Sequence, residues 1–176
     1  WDALYTMFDR CAEWAPYVRP GNWPDCDMLP LGRIGIRAHD GGGGDNWTRF
    51  TKDEQYTLMS LWTIFQSPLM YGGTLPDIDD FTMSLFTNKN VLEMYQTLNQ
   101  RRQFHRDRDW VVWHASSDEK EYVAFFNVSN EEQTIPQSLW SDLIPENAKV
   151  FNLWENEEIN LIDKKIPTHG AVLVSY

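Results

Sequence analysis

Around residue 100 the hydrophobic pattern of this chain changes period, and that switch limits the available folds more than any single motif does. Before it, helical and extended segments alternate. Leu4, Met7, Phe8, Cys11 and Trp14 recur at helical spacing until Pro16. An extended segment follows, Gly21-Asn22-Trp23-Pro24-Asp25-Cys26-Asp27-Met28-Leu29. Thr51 and Glu54 then carry the spacing of a capping box ahead of Leu58, Leu61, Trp62 and Phe65, which predicts a helix with a broad buried face. After the Ser67-Pro68 break, Leu69-Met70-Tyr71 reads as a short buried strand closed by Gly72-Gly73. Asp79-Asp80 supply first-turn acids for a helix over 81–86, with a further helical piece over 91–97. This alternation predicts parallel α/β layering.

Beyond residue 100 the texture is different. Trp110-Val-Val-Trp113, Glu121-Tyr-Val-Ala-Phe-Phe-Asn127, Lys149-Val-Phe-Asn-Leu-Trp154 and Ala171-Val-Leu-Val-Ser-Tyr176 are short β-rich runs between polar turns. Several such runs close most naturally as an antiparallel sandwich. The expected fold is therefore α/β plus all-β, with residues 1–100 forming the α/β portion and residues 101–176 an antiparallel β-sandwich. With 42% hydrophobic residues in 176 positions, the chain has the material for a buried core. The first helix lacks an N-cap residue ahead of Leu4, so the left edge reads as a cut.

Charge excludes one class of partner. A formal net charge of -11 argues against nucleic acid, which needs clustered Lys and Arg to neutralise phosphates. The one basic patch, Arg101, Arg102, His105, Arg106 and Arg108, has no Gly-rich phosphate cradle beside it and reads as a solvated connector between the two halves. No apolar run approaches the roughly 20 residues of a membrane span.

The acidic segment at 25–27 carries the chemistry. In an extended segment alternate side chains share a face, so Asp25 and Asp27 are expected to point one way and Cys26 and Met28 the other. One reading is a sugar contact at a strand end; the other is a pair of loop cross-links beside Pro24. The two acids do not make a catalytic pair, because two carboxylates on one strand approach a sugar from one side, whereas a retaining pair flanks the anomeric carbon. Gly41 to Gly44 lack the Lys-Ser/Thr of a P-loop and read as a hinge or permissive turn. His39, Asp45, Trp47 and Arg49 around them either wall a sugar subsite or form a plain surface loop. Cys11 and Cys26 are able to pair in an oxidising compartment, but without a C-x-x-C spacing they signal neither redox nor metal chemistry, and a disulfide is left open. His105, His114 and His169 lie far in sequence from acid or cysteine partners and suggest no metal site.

Residues 21–29 resemble the G-x-W-N-D-P-D-M-L segment at barrel strand seven of the α-galactosidases and α-N-acetylgalactosaminidases of glycoside hydrolase family 27, in the melibiase clan. Leu61-Trp-Thr-Ile-Phe-Gln-Ser-Pro-Leu-Met70 is similar to that family's L-W-A-I-x-x-x-P-L-x at helix seven and strand eight. The section ending in His169-Gly-Ala-Val-Leu173 fits its accessory sandwich. The form with Cys26 in place of proline, together with Gly41 to Gly44, looks like that of gut Bacteroides-type enzymes.

The resemblance implies the last βα units of a (β/α)8 barrel followed by a C-terminal antiparallel β-sandwich. It implies a substrate-contact role for Asp27 and Met28 at the pocket, with Trp23 packed beside it and Asp25 structural. In that family a retaining double displacement uses one Asp on strand four and another on strand six. Both would lie upstream of Trp1, so no catalytic residue is expected here and the chain alone is expected to be inactive. No cofactor or metal is implied. The implied partner is a galactoside or N-acetylgalactosaminide sugar, with no nucleic acid or membrane, and with self-association through exposed barrel edges. Periplasmic or secreted localisation follows from the resemblance alone. The alternatives are a non-catalytic carbohydrate-binding or interaction module presenting Trp110, Trp113, Trp140 or Trp154 to a glycan, or a catalytically dead homologue kept as a scaffold.

Overall fold

The computed structural model describes residues 1–35 and 46–176. Helix α1, Asp2–Trp14, buries Leu4, Phe8 and Cys11 on one face. It stops where Pro16, which has no N–H to donate, enters a 3-10 turn over Ala15–Tyr17. Two short strands, β1 (Arg33–Ile34) and β2 (Asn46–Trp47), pair antiparallel. Helix α2, Lys52–Phe65, opens on a complete capping box: the Glu54 amide donates to Thr51 Oγ1 at 3.2 Å, and the Thr51 amide donates to Glu54 Oε2 at 2.9 Å. Helix α3, Asp80–Thr87, is capped by Asp79, and α4, Lys89–Thr97, by Asn88.

Among the described residues, the parallel layering expected between these helices shrinks to one bridge. Leu29 donates its amide to the Met70 carbonyl at 2.7 Å and accepts from the Gly72 amide at 2.8 Å, which sets Leu29 beside Tyr71 in parallel. The buried strand expected at 69–71 is therefore corrected. Met70 is half exposed, since a parallel strand is buried only when neighbours cover both faces and this one has a single-residue partner. Gly73 is required here: a Cβ on it would sit 2.5 Å from the Leu31 carbonyl oxygen.

The β-rich half behaves as expected. Strands β3 (Gln100–Arg106), β4 (Trp110–Ser116), β5 (Glu121–Asn127), β7 (Val150–Asn152), β8 (Glu157–Ile159) and β10 (Ala171–Ser175) form one sheet in the order β3-β4-β5-β10-β7-β8. All its pairings are antiparallel. A second pair, β6 (Gln133–Thr134) with β9 (Lys165–Ile166), lies in the outer layer.

The middle of the large sheet is buried on both faces. Val111, Trp113, Ala124, Phe126 and Leu173 point toward the helices, into the core that contains Leu4, Phe8, Leu61 and Phe65. Trp110, Val112, Val123, Phe125, Val172 and Val174 point the other way, onto Ile135, Leu139, Ile144, Leu161 and Ile166. Strict alternation of faces explains why these strands read as unbroken apolar runs. It also ties the two halves together. Phe8 meets Phe126 edge-on at 4.9 Å, Trp154 Nε1 donates to Ser60 Oγ at 2.8 Å, and Asn88 Nδ2 donates to the Leu153 carbonyl at 3.0 Å.

The basic stretch is a solvated connector only in part. It contains strand β3, and two of its arginines, Arg101 and Arg106, are used at the seam, where long stems lie on apolar surface and the heads find oxygens, while Arg102 and Arg108 are exposed. Arg101 donates to the carbonyls of Val18 at 3.0 Å and Leu98 at 3.2 Å, and to Gln66 Oε1 at the left-handed end of α2. Arg106 pairs with Asp9 at 3.0 Å and lies over the Tyr5 ring, pinning α1 to the sheet.

A second seam contact joins α2 to the loop before β10. Glu54 Oε1 meets His169 Nδ1 at 2.9 Å, Thr57 Oγ1 donates to the His169 carbonyl at 2.6 Å, and the indole of Trp1 stacks on the imidazole at 3.8 Å. Burial raises the Glu54 pKa, but the Thr51 amide and His169 outweigh it and hold the carboxyl below its usual range.

Two measurements check this packing. Trp113 is fully buried against α2, so Trp113→Ala is expected to cost about 3–5 kcal/mol in urea unfolding. Because the folded Glu54 pKa is depressed, its contribution is present above the unfolded carboxylate pKa of about 4.3 and is lost as pH falls through the lower folded value. Thermal melts from about pH 5 down to about pH 3 are expected to show a smaller loss of Tm for Glu54→Gln than for the parent chain.

Candidate functional site

The acidic segment forms no regular strand. Asp27 takes a left-handed backbone, φ 77°, which breaks the alternation expected of an extended segment. As a result Asp25, Cys26, Asp27 and Met28 all line one cleft of about 820 Å³, walled by α1 on one side and by α2 on the other.

Each end of the Asp27 residue is held. Asp25 Oδ1 accepts from the Asp27 amide at 2.8 Å, and Trp62 Nε1 donates to the Asp27 carbonyl at 3.1 Å. The Asp27 side chain turns its Oδ1 onto the Met28 amide at 2.7 Å. The acids thus act as loop cross-links and as cleft walls together, because one carboxylate oxygen satisfies the local backbone while Oδ2 has no partner among the described residues. Met28 is 55% exposed at the cleft, and Leu29 directly after it is fully buried and anchors the segment. The arrangement presents a carboxylate acceptor, a thioether and aromatic edges to one hollow, which suits a ligand with both hydroxyl groups and C–H faces.

Sequence reasoning missed two supports. Trp62 reads as core from its spacing, and its 4% exposure agrees, yet its N–H reaches the acidic loop. Ser67 Oγ accepts from the Cys26 amide at 2.9 Å. The signal for Trp62 was that a buried indole seeks an acceptor.

Other residues fall elsewhere. Trp23 is 49% exposed and does not line the cleft. Arg49 borders a smaller hollow of about 330 Å³ with Trp1, Ile34 and Phe50, while Trp47 is 57% exposed on β2. His39, Asp45 and Gly41 to Gly44 lie outside the described residues. Trp110 and Trp113 are buried in the sheet and present no ring to a glycan, since β4 is covered on both faces. Trp140 and Trp154 are half-buried, and the Trp154 N–H is already bonded. The histidines do find acids: His105 meets Asp107, two positions along the chain, at 2.9 Å, and His114 meets Glu121 at 2.8 Å, while the contact of His169 with Glu54, 115 positions away, was concealed by sequence distance. No group of three or more metal-ligating side chains occurs among the described residues.

Helices joined by a parallel bridge and followed by an antiparallel sandwich are what the end of a barrel carrying an accessory β-domain presents, and comparison with known families identifies that barrel as a glycoside hydrolase's. Residues 2–97 match the family described as Alpha galactosidase A, and residues 107–176 match the alpha galactosidase C-terminal beta sandwich domain. The chain belongs to the alpha-galactosidase family. A crystal structure of a GH27 β-L-arabinopyranosidase from Geobacillus stearothermophilus superposes with a TM-score of 0.89 and 43% identity, covering 99% of this chain and 41% of that one. A variant of that enzyme, also similar to this chain at 44% identity, with a TM-score of 0.89 and coverage of 99% of this chain and 42% of that one, was solved in complex with arabinose. Alpha-galactosidase 2 of Arabidopsis thaliana is 26% identical over 172 residues, covering 94% of this chain and 40% of its own length. The chain spans between 26% and 40% of the first curated relatives it matches. Helices α1 to α4 and the Leu29–Tyr71 bridge are thus the end of a GH27-type barrel.

The held left-handed Asp27 makes a clear prediction. Asn tolerates this backbone and keeps an acceptor for the Met28 amide, whereas a β-branched residue does neither. Urea unfolding is expected to show Asp27→Asn within about 0.5 kcal/mol of the parent and Asp27→Val destabilised by about 2 kcal/mol.

Proposed function

We propose that this chain supplies the strand-seven wall of the sugar pocket in a retaining α-galactosidase-like hydrolase acting on terminal α-linked galactose or N-acetylgalactosamine. The observation that carries the reading is the joint placement of Asp27 and Met28 on a cleft, with the Asp27 backbone held from both ends. Ligands of a (β/α)8 barrel are held at the C-terminal ends of its strands, where this segment belongs. The free Asp27 oxygen accepts from sugar hydroxyls, Met28 lies against the C–H surface, and both catalytic acids come from chain preceding strand seven. On this reading the chain alone is inactive. The Bacteroides-type assignment and a periplasmic or secreted location belong to the same proposal and rest on the sequence resemblance.

A second substrate is favoured by one observation, the 43% identity to an enzyme named as a β-L-arabinopyranosidase. β-L-Arabinopyranose has the ring configuration of α-D-galactose without the hydroxymethyl group, so one pocket wall serves either sugar. Self-association of the chain alone is also proposed. Among the described residues, the most exposed large apolar side chains fall mainly before residue 84, including Trp14, Tyr17, Trp47, Met70 and Leu75.

The test compares this chain with a longer polypeptide that contains the preceding barrel units, using aryl α-galactoside, aryl α-N-acetylgalactosaminide and aryl β-L-arabinopyranoside. The 176-residue chain is expected to turn over none of them. In the longer protein, Asp27→Ala is expected to lower kcat/KM by about 100-fold, roughly 2.7 kcal/mol. Turnover by this chain alone defeats the proposal. Galactose binding abolished by Trp140→Ala but untouched by Asp27→Ala favours the binding-module alternative, whose remaining aromatic borders a groove of about 800 Å³ on the sandwich.

A further inference from the structure

We propose that Cys11 and Cys26 form a dithiol that is reversibly oxidised to a disulfide by low-molecular-weight disulfides entering at the cleft, a modification site that locks α1 to the acidic loop. The two are the only cysteines of the chain, and the fold brings residues 15 positions apart to a Sγ to Sγ distance of 3.6 Å. Closing that gap to a bonding distance of about 2 Å requires a shift of about 1.5 Å. Cys11 is on a pinned element, since α1 is tied to the sheet by Arg106 to Asp9 and by Phe8 against Phe126. Cys26 sits on an irregular segment whose backbone is held by Ser67 at the Cys26 amide, so the shift falls to its side chain.

The pair is asymmetric in a way that sets the order of steps. Cys11 is fully buried, whereas Cys26 is half-buried. The hydrogen bond between the two sulfurs lowers the Cys26 pKa from the ordinary thiol value, and the same contact together with burial pushes Cys11 up. The Cys26 thiolate attacks one sulfur of the incoming disulfide, whose S–S bond breaks and releases one thiolate. The Cys11 thiol then gives its proton to the released thiolate and attacks Cys26 Sγ, forming the intramolecular bond and expelling the second thiolate, which takes a proton from solvent. Two cysteines are oxidised by two electrons, and the disulfide reagent is reduced to two thiols. Asp25 and Asp27 flank Cys26, so a cationic disulfide such as cystamine suits the site.

This inference does not depend on the glycosidase reading, because its readout is mass. The reduced chain is treated with cystamine and its intact mass is read without reductant. The expected product has lost two hydrogens, retains no cysteamine, returns to the starting mass with dithiothreitol, and yields a Cys11–Cys26 cross-linked peptide. Its Tm is expected to rise by about 6–12 °C from cross-linking a 15-residue loop. Cys11→Ser is expected to stop at one cysteamine adduct on Cys26, and Cys26→Ser to react at least tenfold more slowly. Where Cys26→Ser does not fold, brief alkylation of the parent chain replaces it, with Cys26 expected to label first. A parent chain that keeps both thiols, accumulates a stable mixed disulfide, or labels at Cys11 first overturns the proposal.

Discussion

The central strands β4, β5 and β10 are covered on both faces, and the rest of the molecule is built on that constraint. One face takes the helices and the other takes the outer layer of the sandwich, so a single sheet serves two cores. Each of Trp113, Phe125 and Phe126 is fully buried. Burial of such side chains contributes on the order of 2–3 kcal/mol each, far more than the exposed ion pairs of the surface provide. The helical half, which among the described residues has only one parallel bridge of its own, packs its helices against the sheet.

That dependence reaches the cleft. Arg106 fixes α1 to β3, Arg101 joins the turn after α1 to the ends of α2 and α4, and α2 carries Trp62 to the carbonyl of Asp27. The geometry of the acidic segment is therefore decided by elements distant in sequence. A left-handed Asp between two more hydrogen-bonded residues is costly in isolation and persists because its surroundings determine it. The same packing places Cys11 against Cys26.

Much of this was legible in advance. The capping box at Thr51 and Glu54, the buried stripe of α2 and the β-rich runs after residue 100 follow from local spacing, and they reappear in the structure. The acidic segment was recognisable as the place of interest. Its alternation was not predictable, because one positive φ turns Asp25, Cys26, Asp27 and Met28 toward a common hollow. The basic stretch misled for a related reason. Sequence shows that four arginines and a histidine cluster, but whether they face water or carbonyl oxygens depends on what packs beside β3.

Local sequence by itself determined that a capping box opens α2, that helices give way to β-rich runs near residue 100, and which short motif carries the family likeness, since each depends on neighbours within a few residues. Tertiary structure decided which polar groups meet: Glu54 with His169, Trp62 with Asp27, Arg101 with Gln66 and Cys11 with Cys26. Those pairs are separated by 15 to 115 positions. Hydrogen bonds and thiol contacts act over a few ångströms, so their partners are set by packing in space and not by distance along the chain.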